Sequence, residues 1–313
     1  MTTTTGETAT SDGIAIRRRR KPATPYLLLI PALAALLVGL GYPVYWQVVT
    51  SLQEYGLMQQ FGAPPRFVGF DNFARIFTDS QVWWVVARSI AFCLVNAGLT
   101  VGIGLGLAVL MRAVHGWVRI VMQVTLLLAW ATPLVAAVTV FRWLFDYRTG
   151  VVNWLLVQLG WESMAGHNYL ETPLQFFMVA SFIVIWMSVP FVAMSIYAGL
   201  TQVSEEVLEA ARLDGAGPTQ ILWLIIMPLV RPVIAIVLLL QIIWDLRVFA
   251  QIRLLQDAGA PVSETNLLGN FIYQLGVGQQ NFGGAAAVSI FVLLLTVVLS
   301  APYVRYLMKE DVA

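Results

Sequence analysis

The residues that could do chemistry in this sequence are few. Its only lysines are Lys21, which precedes Pro22, and Lys309, which precedes Glu310. A P-loop needs a lysine followed by Ser or Thr after its glycines, so no Walker A site can be built. His115, His167 and Cys93 are the whole supply of imidazole and thiol, which is too little for a zinc cluster. A single cysteine also rules out any disulfide within the chain. Gly102, Gly104 and Gly106 imitate part of a dinucleotide loop, but no strand pattern precedes them. They sit instead in an apolar run, where Gly98, Gly102 and Gly106 repeat every four residues and would let a neighbouring helix approach closely. The chain is therefore read as non-enzymatic, with no catalytic residue, no metal ligand and no cofactor of its own.

Two polar groups stand apart from this background. The first is the segment 202–228. Ser204 is placed as an N-cap, and Glu205 and Glu206 in the first turn complement the helix dipole. Ala210, Ala211 and Leu213 continue a strong helix; Gly215 and Gly217 end it, and Pro218 opens a second short helix that stops near Pro228. The second group lies in the apolar run after Arg231. There Gln241 and Asp245 share a helix face, as do Trp244 and Arg247.

The elements that must hold these residues follow from composition. Of 313 residues 59% are hydrophobic and only 11% charged, with 18 basic against 17 acidic side chains. Soluble domains run about 45–50% apolar and about 25% charged, and disorder needs low hydrophobicity with high net charge. Both classes are excluded, and a membrane protein remains. No charge occurs between Lys21 and Glu54, Arg88 and Arg112, Arg119 and Arg142, Glu171 and Glu205, or Glu264 and Arg305. Each gap exceeds the roughly 20 residues that one helical span needs, whereas barrel strands would be about 10 alternating residues. The run Pro232 to Trp244 makes a sixth span that carries Asp245 and Arg247 into the membrane. The fold class is all-α, a polytopic membrane protein with six transmembrane helices. Residues 1–22 are a disordered basic cytoplasmic tail, and 23–313 are one membrane domain that includes the loop 201–231.

Orientation rests on basic residues. Arg17, Arg18, Arg19, Arg20 and Lys21 precede the first span, Arg112 and Arg119 flank the second connection, and Arg212 and Arg231 flank the fourth. Arg305 and Lys309 follow the last span, whereas 257–283 contains no Lys or Arg. The positive-inside rule then makes both termini cytoplasmic and turns loops 51–81, 146–172 and 257–283 outward. Tyr26 to Val49 is too long for a signal-peptide core and lacks a small-residue cleavage site, so it is an uncleaved span.

The segment 202–228 also carries a resemblance. Glu209-Ala-Ala, three residues, Gly215, nine residues, Ile225, one residue and Met227-Pro228 resembles the EAA signature of ABC importer permeases, with Met227 where that signature has Leu. Phe67-Val-Gly-Phe-Asp-Asn-Phe73, Gly150 with Asn153, and Arg247 to Ile252 are similar to motifs of the maltose-transporter branch, more to its MalF-type subunit. So are Thr265, Tyr273 and Phe282-Gly-Gly-Ala-Ala-Ala287, whereas Leu255 to Pro261 departs from the branch's Gly-rich loop. The resemblance implies a type I ABC importer permease in a bacterial plasma membrane. Its implied partners are a second homologous permease, two ATP-binding subunits that hold ATP and Mg, an extracytoplasmic solute-binding lipoprotein and a sugar substrate. The implied ATPase-coupling residues are Glu205, Glu206, Glu209, Ala210, Ala211, Asp214, Gly215 and Pro228.

A substrate pathway is assigned to Gln241, Trp244, Asp245 and Arg247. Sugars present hydroxyl edges and apolar ring faces, which suit a polar stripe with an aromatic, and intramembrane charges usually face protein or a wet cavity. The other reading, that Asp245 and Arg247 satisfy each other or a neighbouring helix, stays open. Asn96, Trp186, Ser188 and Tyr197 are weaker pathway candidates. A di- or oligosaccharide importer is the expected function. An ABC permease for another solute such as a glycerol-phosphate compound, and a secondary transporter, are the alternatives.

Overall fold

Long charge-free runs of Leu, Ile, Val and Ala have no way to satisfy their backbone in hydrocarbon except as helices, and the computed structural model is built from them. It describes residues 24–310; the tail 1–22 lies outside the described residues. The chain divides between Trp46 and Gln47 into two units. The first holds α1 (Thr24–Leu36) and a π-helical turn, Leu37–Gly41; α2 (Tyr42–Ser51) runs across the boundary.

In the second unit β1 (Gln53–Glu54) pairs antiparallel with β2 (Arg66–Phe67), with the short α3 (Leu57–Gln60) in the connection between them and α4 (Asp71–Thr78) after them. Then come α5 (Ser80–Ala113), α6 (Gly116–Trp130), α7 (Leu134–Leu144), α8 (Val151–Gln158) and α9 (Pro173–Leu200). After α10 (Glu205–Leu213), α11 (Pro218–Gln220) continues through a π-helical Ile221–Ile226 into α12 (Met227–Leu246). The outer segment α13 (Ala250–Gln256), α14 (Val262–Thr265) and α15 (Leu268–Tyr273) leads to α16 (Phe282–Glu310). Among the described residues, five segments are long and apolar enough to cross a membrane: Leu27–Ser51, Ser80–Ala113, Pro173–Leu200, Pro218–Gln256 and Phe282–Arg305. The pair α6 and α7 makes a sixth only if its bend of 97° is counted within one span.

That bend corrects the expectation of one continuous third helix. Pro133 disfavours helical backbone at Thr132 and supplies no N–H of its own, so α6 stops at Trp130 and α7 restarts with Pro133 as its N-cap.

A second correction concerns the segment 202–228. Its second helix does not stop at Pro228 but runs on into the span. A proline ring crowds the carbonyl four residues back, and the wider π turn makes room for it. Both Leu37–Gly41 and Ile221–Ile226 end two residues before a proline, Pro43 and Pro228, which is where that room is needed.

The third correction is the glycine face. Gly98, Gly102 and Gly106 are exposed and a Cβ on any of them would meet nothing within 4 Å. The close approach occurs at Gly104, where a Cβ would lie 2.5 Å from Val192 Cγ1 and 3.1 Å from Ala193 N. Helix α5 is rotated so that Ala97, Thr100, Gly104, Ala108 and Met111 face inward, and α9 packs along it.

Candidate functional site

Helix α10 is a two-sided element. Leu208 and Ala211 are buried on one side, while Glu205, Glu206, Glu209, Ala210 and Leu213 are exposed, Leu213 at 89%. The buried side joins a cluster with Ala108 of α5, Val192, Ile196 and Leu200 of α9, and Ile221, Ile226 and Val230 at the start of the next span. Ala211 therefore packs into its own membrane domain, and Ala210 is the small residue left facing out. Ser204 has the extended backbone of an N-cap, φ −64° and ψ 142°, but its side chain accepts no capping bond.

The C-terminal end is better fixed. Gly215 is left-handed at φ +83°. Its N–H donates to Arg212 O at 3.1 Å, and Ala216 N–H donates to Ala211 O at 3.0 Å. This pair of bonds is a Schellman motif, and glycine enters the left-handed region without the steric cost that a Cβ carries. Two residues on, the Gln220 side-chain oxygen accepts from Gly217 N–H at 2.9 Å, and Pro218 occupies the first turn, where its missing N–H costs nothing. Asp214 sits at the C-cap, exposed, as is Pro228. Seven of the eight residues expected to couple thus lie on α10 and the turn that ends it, and Pro228 lies at the start of α12.

The four residues expected to line a pathway divide between two faces at the C-terminal end of α12, with Arg247 as its C-cap. Gln241 and Asp245 are buried at 0% and 3% exposure, joined by a bond from Gln241 Nε2 to Asp245 Oδ1 of 2.8 Å. Gln241 Oε1 and Asp245 Oδ2 have no hydrogen-bond partner. Beside them Ile242 and Leu246 pack on Cys93 and Ala97 of α5. Trp244 and Arg247 are exposed, and the Trp244 ring lies 5.1 Å from that of Phe191 on α9. No ion pair joins Asp245 to Arg247, so mutual neutralisation does not account for them. Helix α12 ends there, with Arg247 N–H donating to Trp244 O at 3.0 Å.

A groove of about 880 Å³ runs between α5, α6 and α9. It gathers Asn96 and Trp186 with Phe92, Phe177, Ser181 and Phe182. Asn96 Nδ2 donates to Phe92 O at 2.7 Å and to Ser181 Oγ at 3.2 Å. Ser188 and Tyr197 are half-buried on α9, and neither lines the groove.

The remaining motif residues fasten the loops at the opposite end of these helices. Asn72 Nδ2 donates to Ser51 O and Gln53 O, each at 2.9 Å. Asn153 Nδ2 donates to His167 O at 2.8 Å. Asp146 Oδ1 accepts from the Thr149 N–H and hydroxyl and from Arg148 N–H, and the Thr149 bonds hold its carboxyl below the usual range. Gln256, Thr265, Asn266 and Gln274 form a largely buried chain of amide and hydroxyl bonds, and Arg88 donates to the carbonyls of Ser263 and Glu264. At the end near α10, two residues that carry contacts had no role in the sequence beyond charge. Arg112 reaches Leu200 O and Glu205, and Arg119 reaches Met111 O and Val114 O. Their place at a span's end, where carbonyls lack partners, was the available signal.

Residues 98–306 match the family model described as binding-protein-dependent transport system inner membrane component. The diacetylchitobiose uptake system permease protein DasB of Streptomyces coelicolor is 38% identical over 287 residues, covering 92% of this chain and 87% of the relative. The trehalose/maltose transport system permease protein MalF of Thermococcus litoralis is 28% identical, covering 88% and 92%. The fold is shared with a chain in the crystal structure of a bacterial alginate ABC transporter in complex with an alginate pentasaccharide-bound periplasmic protein. That match has a TM-score of 0.76 at 22% identity, covering 90% of this chain and 92% of the other.

Proposed function

The chain belongs to the binding-protein-dependent transport system inner membrane component family, and we propose that it is the permease subunit of an ATP-driven sugar importer, coupled to a separate ATPase through residues 204–228. It is a non-catalytic membrane component. The observation that carries the coupling reading is the two-sided α10. Leu208 and Ala211 anchor it to the membrane helices, while Glu205, Glu206, Glu209 and Leu213 stand free to meet a partner. A helix rigid behind and exposed in front transmits displacement instead of absorbing it. ATP-driven closure of the ATPase pair then becomes a rocking of the membrane helices.

The complete assembly in this reading contains a second homologous permease, two ATP-binding subunits that hold ATP and Mg, and an extracytoplasmic solute-binding lipoprotein. It sits in a bacterial plasma membrane with both termini cytoplasmic, an orientation supported by Arg112, Arg119, Arg212 and Arg231 near the coupling end. A di- or oligosaccharide cargo is supported by the sugars in the names of two relatives. Gln241, Trp244, Asp245 and Arg247 form part of this subunit's half of the pathway, supported by buried acceptors without partners on one face and an aromatic pair on the other.

The test uses the whole complex in proteoliposomes, with labelled N,N′-diacetylchitobiose as the probe. Glu209→Lys reverses a charge on the exposed face. Gly215→Pro demands φ near −65° where the turn needs +83°. Each variant is expected to lower uptake by at least about tenfold while capture of the sugar by the binding protein is unchanged. Full uptake by either variant at normal subunit levels refutes the coupling assignment.

A further inference from the structure

Helix α10 reaches the membrane helices by two routes of different kinds. To α9 it is joined by backbone, through the four residues 201–204. To α5 it has no chain connection, only contacts: the packing of Ala108 in the shared cluster and the side chain of Arg112. Yet α5, a helix of 34 residues, lines the 880 Å³ groove and packs against both α9 and α12.

Arg112 stands on the last turn of α5, its side chain 23% exposed. One terminal nitrogen donates to Leu200 O, the last residue of α9, at 3.2 Å. The other lies 3.7 Å from Glu205 Oε1, the first residue of α10. The carboxylate contact is long, and Glu205 is 72% exposed, so solvent screens it to little effect. The carbonyl contact supplies a donor at a helix end, where the last carbonyls have no intrahelical partner. Arg119 supports the same corner. Its Nε donates to Met111 O at 2.8 Å and one terminal nitrogen to Val114 O at 3.3 Å, while its guanidinium lies 6.0 Å from the Tyr197 ring on α9. A planar guanidinium spreads five donors over a fixed fork and can bridge helix ends in this way, whereas an ammonium carries its three donors on a single nitrogen and spans less distance between partners.

We propose that Arg112 is a positioning residue for energy coupling: by tying the end of α5 to the joint between α9 and α10, it makes α5 follow the coupling helix. The proposal rests on the reading of α10 as the ATPase-docking helix. Arg112 touches neither substrate nor nucleotide in this scheme and acts through the Leu200 carbonyl.

The experiment uses the complete complex in proteoliposomes and three forms of the joint. Arg112→Gln removes the charge and shortens the reach. Arg112→Lys keeps the charge and one donor to Leu200 O. Arg112→Cys with Thr201→Cys removes the guanidinium but lets a flexible bifunctional thiol reagent replace it, since Thr201 is exposed and next to Leu200. Cys93, 1% exposed, is shielded from the reagent. Uptake of N,N′-diacetylchitobiose is normalised to assembled complex and to ATP hydrolysed, so that a loss of folded protein does not register as a loss of coupling.

The Arg112→Gln complex is expected to retain its ATPase subunits and hydrolyse ATP while uptake per ATP falls about tenfold. Arg112→Lys should stay within about threefold of wild type, and cross-linking should restore the double-cysteine form. Uptake per ATP within about twofold of wild type for Arg112→Gln, or an assembled cross-linked form that stays uncoupled, overturns the proposal. If Arg112→Gln does not assemble, the double-cysteine form cross-linked in the native membrane decides by the same criterion. The readings beneath it fail separately. Full uptake by Glu209→Lys refutes the docking helix whatever Arg112 does. A wild-type complex that does not import this probe refutes the choice of sugar, and uptake per ATP of a sugar that the binding protein does capture then decides Arg112 by the same ratios.

Discussion

At Gly104 one added carbon determines whether α5 and α9 can touch. A Cβ there would stand 2.5 Å from Val192 Cγ1 and 3.0 Å from Val192 Cβ, both on a packed helix. Overpacking of this kind costs about 1–3 kcal/mol, so Gly104→Ala is expected to lower the melting temperature of the purified chain. Gly102→Ala meets nothing within 4 Å and replaces a poor helix former, a change worth up to about 1 kcal/mol in favour of the helix. It should leave the melting temperature unchanged or raise it, and the opposite ranking of the two variants would contradict the packing described here. The sequence shows that α5 has small residues on more than one face but not which face α9 takes. That depends on the helix's rotation, which larger partners such as Val192 and Ile196 settle. The same limit applies to Gln241 and Trp244: their membership of two faces is legible from spacing, whereas burial of one face is not. For transport, Gln241→Ala and Trp244→Ala are each expected to change uptake KM or maximal rate. Unchanged uptake kinetics and ATPase stimulation in both variants would remove these residues from the pathway.

For the helices as elements, charge-free length was a reliable guide to existence and a poor one to continuity. Arg119 to Arg142 reads as one span because nothing charged interrupts it. At about 1.5 Å per residue, the 15 residues of α6 cover about 22 Å, short of the roughly 30 Å of hydrocarbon. The local signal for the break was present in Thr132-Pro133, since a residue before proline avoids helical backbone. Prolines do not always break a helix, however. Pro31, Pro190, Pro232 and Pro302 all lie inside unbroken helices. What distinguishes Pro133 is that α7 has somewhere to go, packed against α9 and α13. Pro133→Ala restores the missing N–H and relaxes Thr132, so α6 should extend and the bend should open. Spin labels at Val121 and Val140, both exposed, are expected to move apart in the variant. An unchanged distance would assign the bend to the packing of α7 alone. The coupling loop was more legible, because a Schellman turn and a proline start are written in local residues. Only the run-on through Pro228 needed the π turn that no residue pattern announces.

In the molecule as a whole, the direction of two helices settles how often the chain crosses between them. Arg112 at the end of α5 bonds to Leu200 at the end of α9, and the groove brings Arg88 near the start of α5 together with Leu174 near the start of α9. The two helices therefore run parallel. Parallel neighbours in a membrane require the intervening chain to return across it, and the segment between Ala113 and Pro173 contains only α6 and α7 as apolar helices of span character. With α5 and α9 both spanning, that pair carries the chain back although it is bent by 97°, and counting it with the five long segments gives up to six crossings among the described residues. Loops 51–81, 146–172 and 257–283 then share one side, and the coupling turn around Gly215 lies on the other. Single cysteines at Phe61, Trp161 and Val262, all exposed, should react in intact cells with a membrane-impermeant maleimide. A cysteine at Leu213, 89% exposed, should react only after the membrane is opened. If the cysteine at Trp161 is instead protected until the membrane is opened while that at Leu213 labels in intact cells, α6 and α7 form a re-entrant hairpin. The parallel arrangement of α5 and α9, and with it the corner that Arg112 holds, would then be wrong.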